Sequence, residues 1–163
     1  MTPATAPDQV LESVAAEDDL PRLARDIASV LQPAAQSRGF CLWLVGSVGA
    51  GKTTIAGHIL HALGLPARVP VLSPTYTYLQ EYKFPDGRVF AHMDLYRGTA
   101  IEALEDAGIF AGISAYSGVL IEWPPQGNTA ASAAAEGYAP THILAIEPVD
   151  DGQRRRYQLS VAR

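Results

Sequence analysis

Residues 40–53 read FCLWLVGSVGAGKT. The first six are apolar and rich in strand formers, as expected of a short strand buried on both faces of a helix-covered sheet. The last eight fit GxxxxGK[ST], with Gly46, Gly51, Lys52 and Thr53 at the fixed positions and Ser47, Val48, Gly49 and Ala50 between them. In that pattern backbone N–H groups cradle phosphates, the lysine reaches them and the hydroxyl ligates Mg²⁺. Glycines let the loop turn sharply and bring the main chain close to a phosphate with no Cβ in the way. The helix that starts at Lys52, with Thr54 in its first turn, adds a positive dipole end. At the chain's own residue frequencies the pattern arises by accident in roughly one such sequence in several hundred. Lys52 is one of only two lysines, against ten arginines. The phosphates of a nucleotide and Mg²⁺ are therefore the expected ligands.

Outward from the loop, residues 52–63 have helical character and Gly64 stands where a helix C-terminal glycine belongs. Upstream, residues 9–14 predict a short strand. Asp18 or Asp19 then predicts a cap for a helix carrying Leu20, Leu23, Ile27, Val30 and Leu31, limited by Pro33 and Gly39. Downstream, TYTYLQEY (75–82) and RVFAHMDLY (88–96) read as two strands of a hairpin around Asp86 and Gly87. Strand–loop–helix plus hairpin predicts an α/β protein whose sheet mixes parallel and antiparallel pairs. Residues 101–107 predict a short acidic helix, and GVLIEW (118–123) a buried strand stopped by Pro124 and Pro125. The stretch 126–139, rich in Ala and Ser, predicts a mobile surface loop, with a helical turn through its alanines as the alternative. THILAIEPV and RRRYQLSVAR flank DDG as a terminal hairpin. No repeat or boundary divides the 163 residues, so residues 1–163 are expected to form a single domain.

The composition narrows the function classes. Alanine accounts for 26 residues, so large core side chains are fewer than the hydrophobic fraction suggests. A formal charge of −5 speaks against direct residence on DNA or RNA, whose binding domains carry a basic excess. The run Arg154–Arg156 reads as a solvated strand end beside a turn. Cys41 is the sole cysteine, which excludes an intrachain disulfide. The first residues lack the pattern of a secretory signal, and no apolar run is long enough to span a bilayer. A cytoplasmic protein with no membrane contact is the expectation.

Hydrolysis at a phosphate loop needs an acidic partner for Mg²⁺ and a group that orients or deprotonates water. Asp94 and Glu122 each end an apolar strand run, VFAHMD and VLIE, where a central sheet would aim them at the nucleotide. The competing readings are a turn aspartate and a solvent-facing glutamate. Thr75, in SPTYTY, stands where a hydroxyl senses a γ-phosphate or Mg²⁺ as switch segments do; a strand-initiating Ser-Pro-Thr reads equally well.

GSVGAGKTT, SPTYTY, HMDLYR and LIEWPP, in this order and spacing, resemble the TsaE (YjeE) family, bacterial ATPases of tRNA threonylcarbamoyladenosine biosynthesis. The resemblance runs from about Leu20 to Pro125 and more loosely to the terminal hairpin. It implies a P-loop NTPase-like fold with a mixed sheet between helices. It also implies an Mg²⁺-dependent ATPase that works with TsaB and TsaD and meets tRNA only through them. Carried over by position, Lys52 binds phosphate, Thr53 ligates Mg²⁺, Thr75 is the switch threonine and Asp94 is the acidic Mg²⁺ partner. Glu122 activates water or completes the metal site. Trp123 packs beside the nucleotide or in the core. Two departures stand out: Ser47 replaces a common Asp, and the segment after EWPP is long.

Two rivals stay open. A small-molecule kinase needs basic side chains over the transferring phosphate, yet between the loop helix and the terminal hairpin there are only Arg68, Lys83, Arg88 and Arg97. A nucleotide-gated binding module would use the same loop and switch with hydrolysis incidental. No Asn-Lys-x-Asp sequence is present to read guanine.

Overall fold

The computed structural model describes residues 8–96, 113–124 and 139–162. Its elements run β1 (Asp8–Ala15), α1 (Leu20–Ala35), β2 (Cys41–Val45), α2 (Lys52–Leu63), β3 (Leu79–Lys83), β4 (Val89–Asp94), β5 (Gly118–Glu122), β6 (His142–Val149) and β7 (Arg154–Val161). The predicted helix at 101–107, Arg97, and the Ala/Ser-rich stretch apart from Ala139 lie outside the described residues.

The strands form one seven-stranded sheet in the order β1-β7-β6-β2-β5-β4-β3. Its centre, β6-β2-β5-β4, is parallel, and both edges are closed by antiparallel pairs. The mixed sheet and both hairpins follow the sequence reading. Period-two alternation sorts each central strand onto two faces. Leu42, Leu44, Leu120, Leu144, Tyr157 and Leu159 pack with α1 and α2 in the larger core. Cys41, Met93, Val119 and Ile121 form a smaller cluster with Trp43, Tyr78 and Tyr116. Both described helices thus lie on one face. α1 contributes an apolar stripe, Leu20, Leu23, Ala24, Ile27, Leu31 and Ala35, at helical spacing. No helix among the described residues is long and apolar enough to cross a membrane.

Three boundaries differ from expectation for physical reasons. α1 runs through Pro33 to Ala35. Pro33 is exposed, so the carbonyl that loses its N–H partner faces water, while Leu31 and Ala35 stay buried. No aspartate side chain caps α1. Asp19 instead accepts the Ala16 N–H at 3.2 Å and closes the 3₁₀ turn Glu17–Asp19 ahead of the helix. The strand expected from Thr75 begins at Leu79, because the Tyr78 N–H donates to the Pro74 carbonyl at 2.7 Å and Tyr78 takes φ 62°, outside the extended region.

Cys41 is buried, and burial pushes its thiol up to about 12, as befits a core residue without thiolate chemistry.

β5 begins at Gly118 because nothing larger fits. A Cβ there would meet ring atoms of Phe40 at 2.4 Å, and Phe40 is itself buried, its ring 6.0 Å from that of Phe90. Gly118→Ala is expected to destabilise the fold by about 1–3 kcal/mol through overpacking. Urea unfolding checks it, and a Phe40→Leu background should remove much of the penalty if the ring is the cause.

Candidate active site

β2, β4 and β5 run parallel, so their C-terminal ends meet at one edge, the place where open α/β sheets bind ligands. β2 delivers the chain into Gly46–Thr53. Gly46 backs directly onto β6, since a Cβ there would lie 2.8 Å from the Ile146 carbonyl oxygen. Gly51 takes φ 95° at the helix N-cap, a conformation that favours glycine. Ala50 is buried, and its N–H donates to the Ser47 carbonyl at 3.1 Å. Val48 is 70% exposed at the tip.

A cavity of about 410 Å³ opens over this loop, and Val48, Gly49, Gly51, Lys52, Thr53 and Thr54 form its floor. Ser73, Asp94, Tyr96, Glu122, Trp123 and Arg155 complete the wall.

Lys52 is buried, and its ammonium donates to the Gly46 and Ser47 carbonyls at 2.8 and 2.9 Å. The Trp123 ring centroid lies 3.9 Å from Nζ, a cation–π contact. Burial lowers the Lys52 pKa, and the charges of Glu122 and Asp94 oppose that shift. Ser47, where the sequence departs from a common Asp, supplies one of the two carbonyls that the ammonium meets.

Glu122 ends β5 and Asp94 ends β4, directly opposite each other in register. Thr53 Oγ1 contacts both carboxylate oxygens of Glu122, at 2.8 and 3.0 Å. Buried His92 donates from Nε2 to Glu122 Oε1 at 2.7 Å. Asp94 Oδ2 accepts from Ser73 Oγ at 2.9 Å and Thr75 Oγ1 at 3.0 Å, and Oδ1 accepts the Tyr96 N–H at 3.0 Å. Thr75 therefore reaches the site through Asp94.

Trp123 follows β5 with φ 54°, an uncommon conformation for a large side chain and a form of strain that collects at functional sites. The turn sets its ring under the Lys52 ammonium and 4.8 Å from the ring of Tyr96. Its place is beside the loop rather than in either core cluster.

The residues suit a triphosphate with Mg²⁺. Two neighbouring carboxylates repel unless a cation stands near them, and the loop above offers a cradle where a Cβ at Gly49 would meet nothing within 4 Å. The donors are a hydroxyl and carboxylates, hard oxygens that Mg²⁺ prefers. No three His, Cys, Asp or Glu among the described residues gather into a metal cage.

The sequence reading missed His92, Ser73 and Arg155. His92 lies two residues before Asp94 on the same side of β4, a spacing that could have marked it. Arg155 was read as part of a solvated strand end, yet it lines the cavity.

A strand–loop–helix unit on a mixed sheet with a parallel centre, with two acids at the strand ends, defines a P-loop NTPase-like protein. The chain belongs to the TsaE family: the model of that family, "Threonylcarbamoyl adenosine biosynthesis protein TsaE", matches residues 14–157. Relatives named tRNA threonylcarbamoyladenosine biosynthesis protein TsaE include one from Haemophilus influenzae, 36% identical over 66% of each chain. One from Aquifex aeolicus is 33% identical over 90% of each. One from Nostoc sp. is 38% identical over 52% of each.

His92→Leu is expected to remove one of the two donors that meet the buried Glu122 Oε1, leaving it Thr53 alone, and to cost about 1–3 kcal/mol. His92→Gln, whose side-chain N–H₂ can approach the same oxygen, should recover most of it. Denaturant titration of the two variants measures the difference.

Proposed function

We propose that this chain is an Mg²⁺-dependent ATPase of tRNA threonylcarbamoyladenosine biosynthesis, acting in the cytoplasm with TsaB and TsaD and meeting tRNA only through them. The observation that carries the reading is the contact of Thr53 Oγ1 with Glu122, above a floor that holds Lys52. It sets a metal-binding hydroxyl beside an acid next to a phosphate cradle.

In this reading the N–H groups of residues 48–54 and the Lys52 ammonium bind the phosphates. To meet a phosphate the ammonium exchanges at least one of its carbonyl contacts, so its charge is held close by but not spent. When bound, Mg²⁺ neutralises charge on the terminal phosphates and polarises the bond that breaks. Thr53 and Glu122 hold it directly or through water. Asp94, tied to Ser73 and Thr75, joins the metal side to the segment that precedes β3 and orders that segment around the terminal phosphate. Of the two roles open to Glu122, its contact with Thr53 favours completion of the metal site.

The Asp94 cluster also supports a second reading, a nucleotide-gated module in which ordering of residues 73–75 matters more than hydrolysis. A Glu122→Gln variant that binds ATP, fails to hydrolyse it and still sustains repeated rounds of tRNA modification would favour the module.

The decisive assay is steady-state phosphate release at saturating ATP and Mg²⁺, for the chain alone and with TsaB and TsaD. Slow release by the chain alone and clear acceleration by both partners is expected, since trans contributions change phosphoryl-transfer rates by roughly 10³ to 10⁵ in other systems. Absence of ATP hydrolysis under every condition would sink the proposal. An Mg²⁺ titration separates the acids: Glu122→Gln should raise the Mg²⁺ requirement severalfold, whereas Asp94→Asn should lower kcat with a smaller change in that requirement. The reverse pattern would exchange the two roles.

A further inference from the structure

Arg154, Arg155 and Arg156 open β7, and strand alternation separates them. Arg155 shares its side of the strand with Tyr157 and Leu159, which are buried in the core beneath α1 and α2. Its side chain therefore emerges on the sheet face that bears the phosphate loop. The flanking arginines are engaged elsewhere. Arg154 pairs with Asp150, and Arg156 lies 3.6 Å from Glu12 and 3.8 Å from Glu147. Among the described residues Arg155 has no carboxylate partner. Its Nη2 donates to the Gly49 carbonyl at 3.5 Å, its Nε is buried with no hydrogen-bond partner, and a Cβ at Gly51 would lie 3.7 Å from that Nε. A guanidinium carries five N–H donors, and one long bond to a carbonyl leaves most of them for a ligand.

The sheet order says which part of the ligand. β7 and β6 lie on one side of β2, and β5 and β4, with Glu122 and Asp94, on the other. The acids attend the terminal phosphate and its metal; Arg155 leans on Gly49 and Gly51 from the opposite flank. We infer that Arg155 binds the nucleotide's phosphates nearest the nucleoside, the part that ATP and ADP share, and not the phosphate that is removed. This rests on the phosphate-loop reading above. A contact made equally before and after hydrolysis adds uniform binding, so its loss falls on affinity rather than on turnover.

The test is calorimetric titration of the full chain with ADP, with ATP plus Mg²⁺, and with inorganic pyrophosphate, for the wild type, Arg155→Ala, Arg155→Lys and Lys52→Ala. Arg155→Ala is expected to weaken all three ligands by a similar factor, about tenfold or more. KM for ATP should rise in step with kcat changing less than twofold, and Arg155→Lys should recover part of the loss. Unchanged ADP affinity in Arg155→Ala would overturn the inference, as would a loss confined to ATP or to kcat, which would move the contact to the terminal phosphate. Weakened ADP with unaffected pyrophosphate would assign the guanidinium to the nucleoside instead and would also overturn it. Lys52→Ala keeps the two levels apart. If it binds all three ligands like the wild type, the phosphate-loop reading itself fails; if it loses them while Arg155→Ala does not, only the role of Arg155 falls.

Discussion

The carboxylate of Glu122 is buried, and a buried carboxylate must be met by donors on each side or it destabilises whatever surrounds it. Here the donors come from two different elements, Thr53 on α2 and His92 on β4. Each of those groups is held in place by meeting the acid. The first turn of α2 is thereby tied to the ends of β4 and β5, and the phosphate loop, which leads into that turn, inherits its position. The Leu95 N–H, donating to the Glu122 carbonyl at 3.0 Å, secures the same junction through the backbone.

The loop is also constrained from behind. Gly46 sits so close to the Ile146 carbonyl that the chain has one narrow way out of β2. From in front, the left-handed turn at Trp123 sets an indole against the Lys52 ammonium. A lysine in so dry a position would lose its charge unless the surroundings favoured it. Two carbonyls, an aromatic face and two carboxylates supply that favour.

The parts of this site whose chemistry demands a particular residue type at a particular spacing were legible from residues alone. The glycines and lysine of 46–53 are such a case, and so are strand runs that end in Asp94 and Glu122. What was hidden depended on partners distant in sequence. Pro33 reads as a helix stop until one knows that its missing N–H faces solvent. TYTY reads as strand until the Tyr78 N–H is seen to turn back to Pro74. The arginine run reads as a solvated end because its neighbours in sequence are charged; only the pairing of β7 with β6 and β1 shows that one of the three crosses to the loop. The alternation Arg155, Tyr157, Leu159 was in the sequence, but its meaning required knowing which face those two apolar residues cover.

The order of strands along the chain differs from their order in the sheet, and this bears on how the protein is made. Among the described strands β1 is made before the others, yet the one it pairs with in the sheet is β7, the last of them to be made. Until then β1 has no ladder to join, and the pairings that close this side of the sheet are among the most distant in sequence, the kind that forms slowly. The loop strand, the two acid-bearing strands and α2 can assemble earlier. Arg155 arrives with β7, opposite Ala15 of β1. The unfinished chain therefore presents a phosphate loop with one flank open, and that flank gains its cation in the same step that pairs the opening strand.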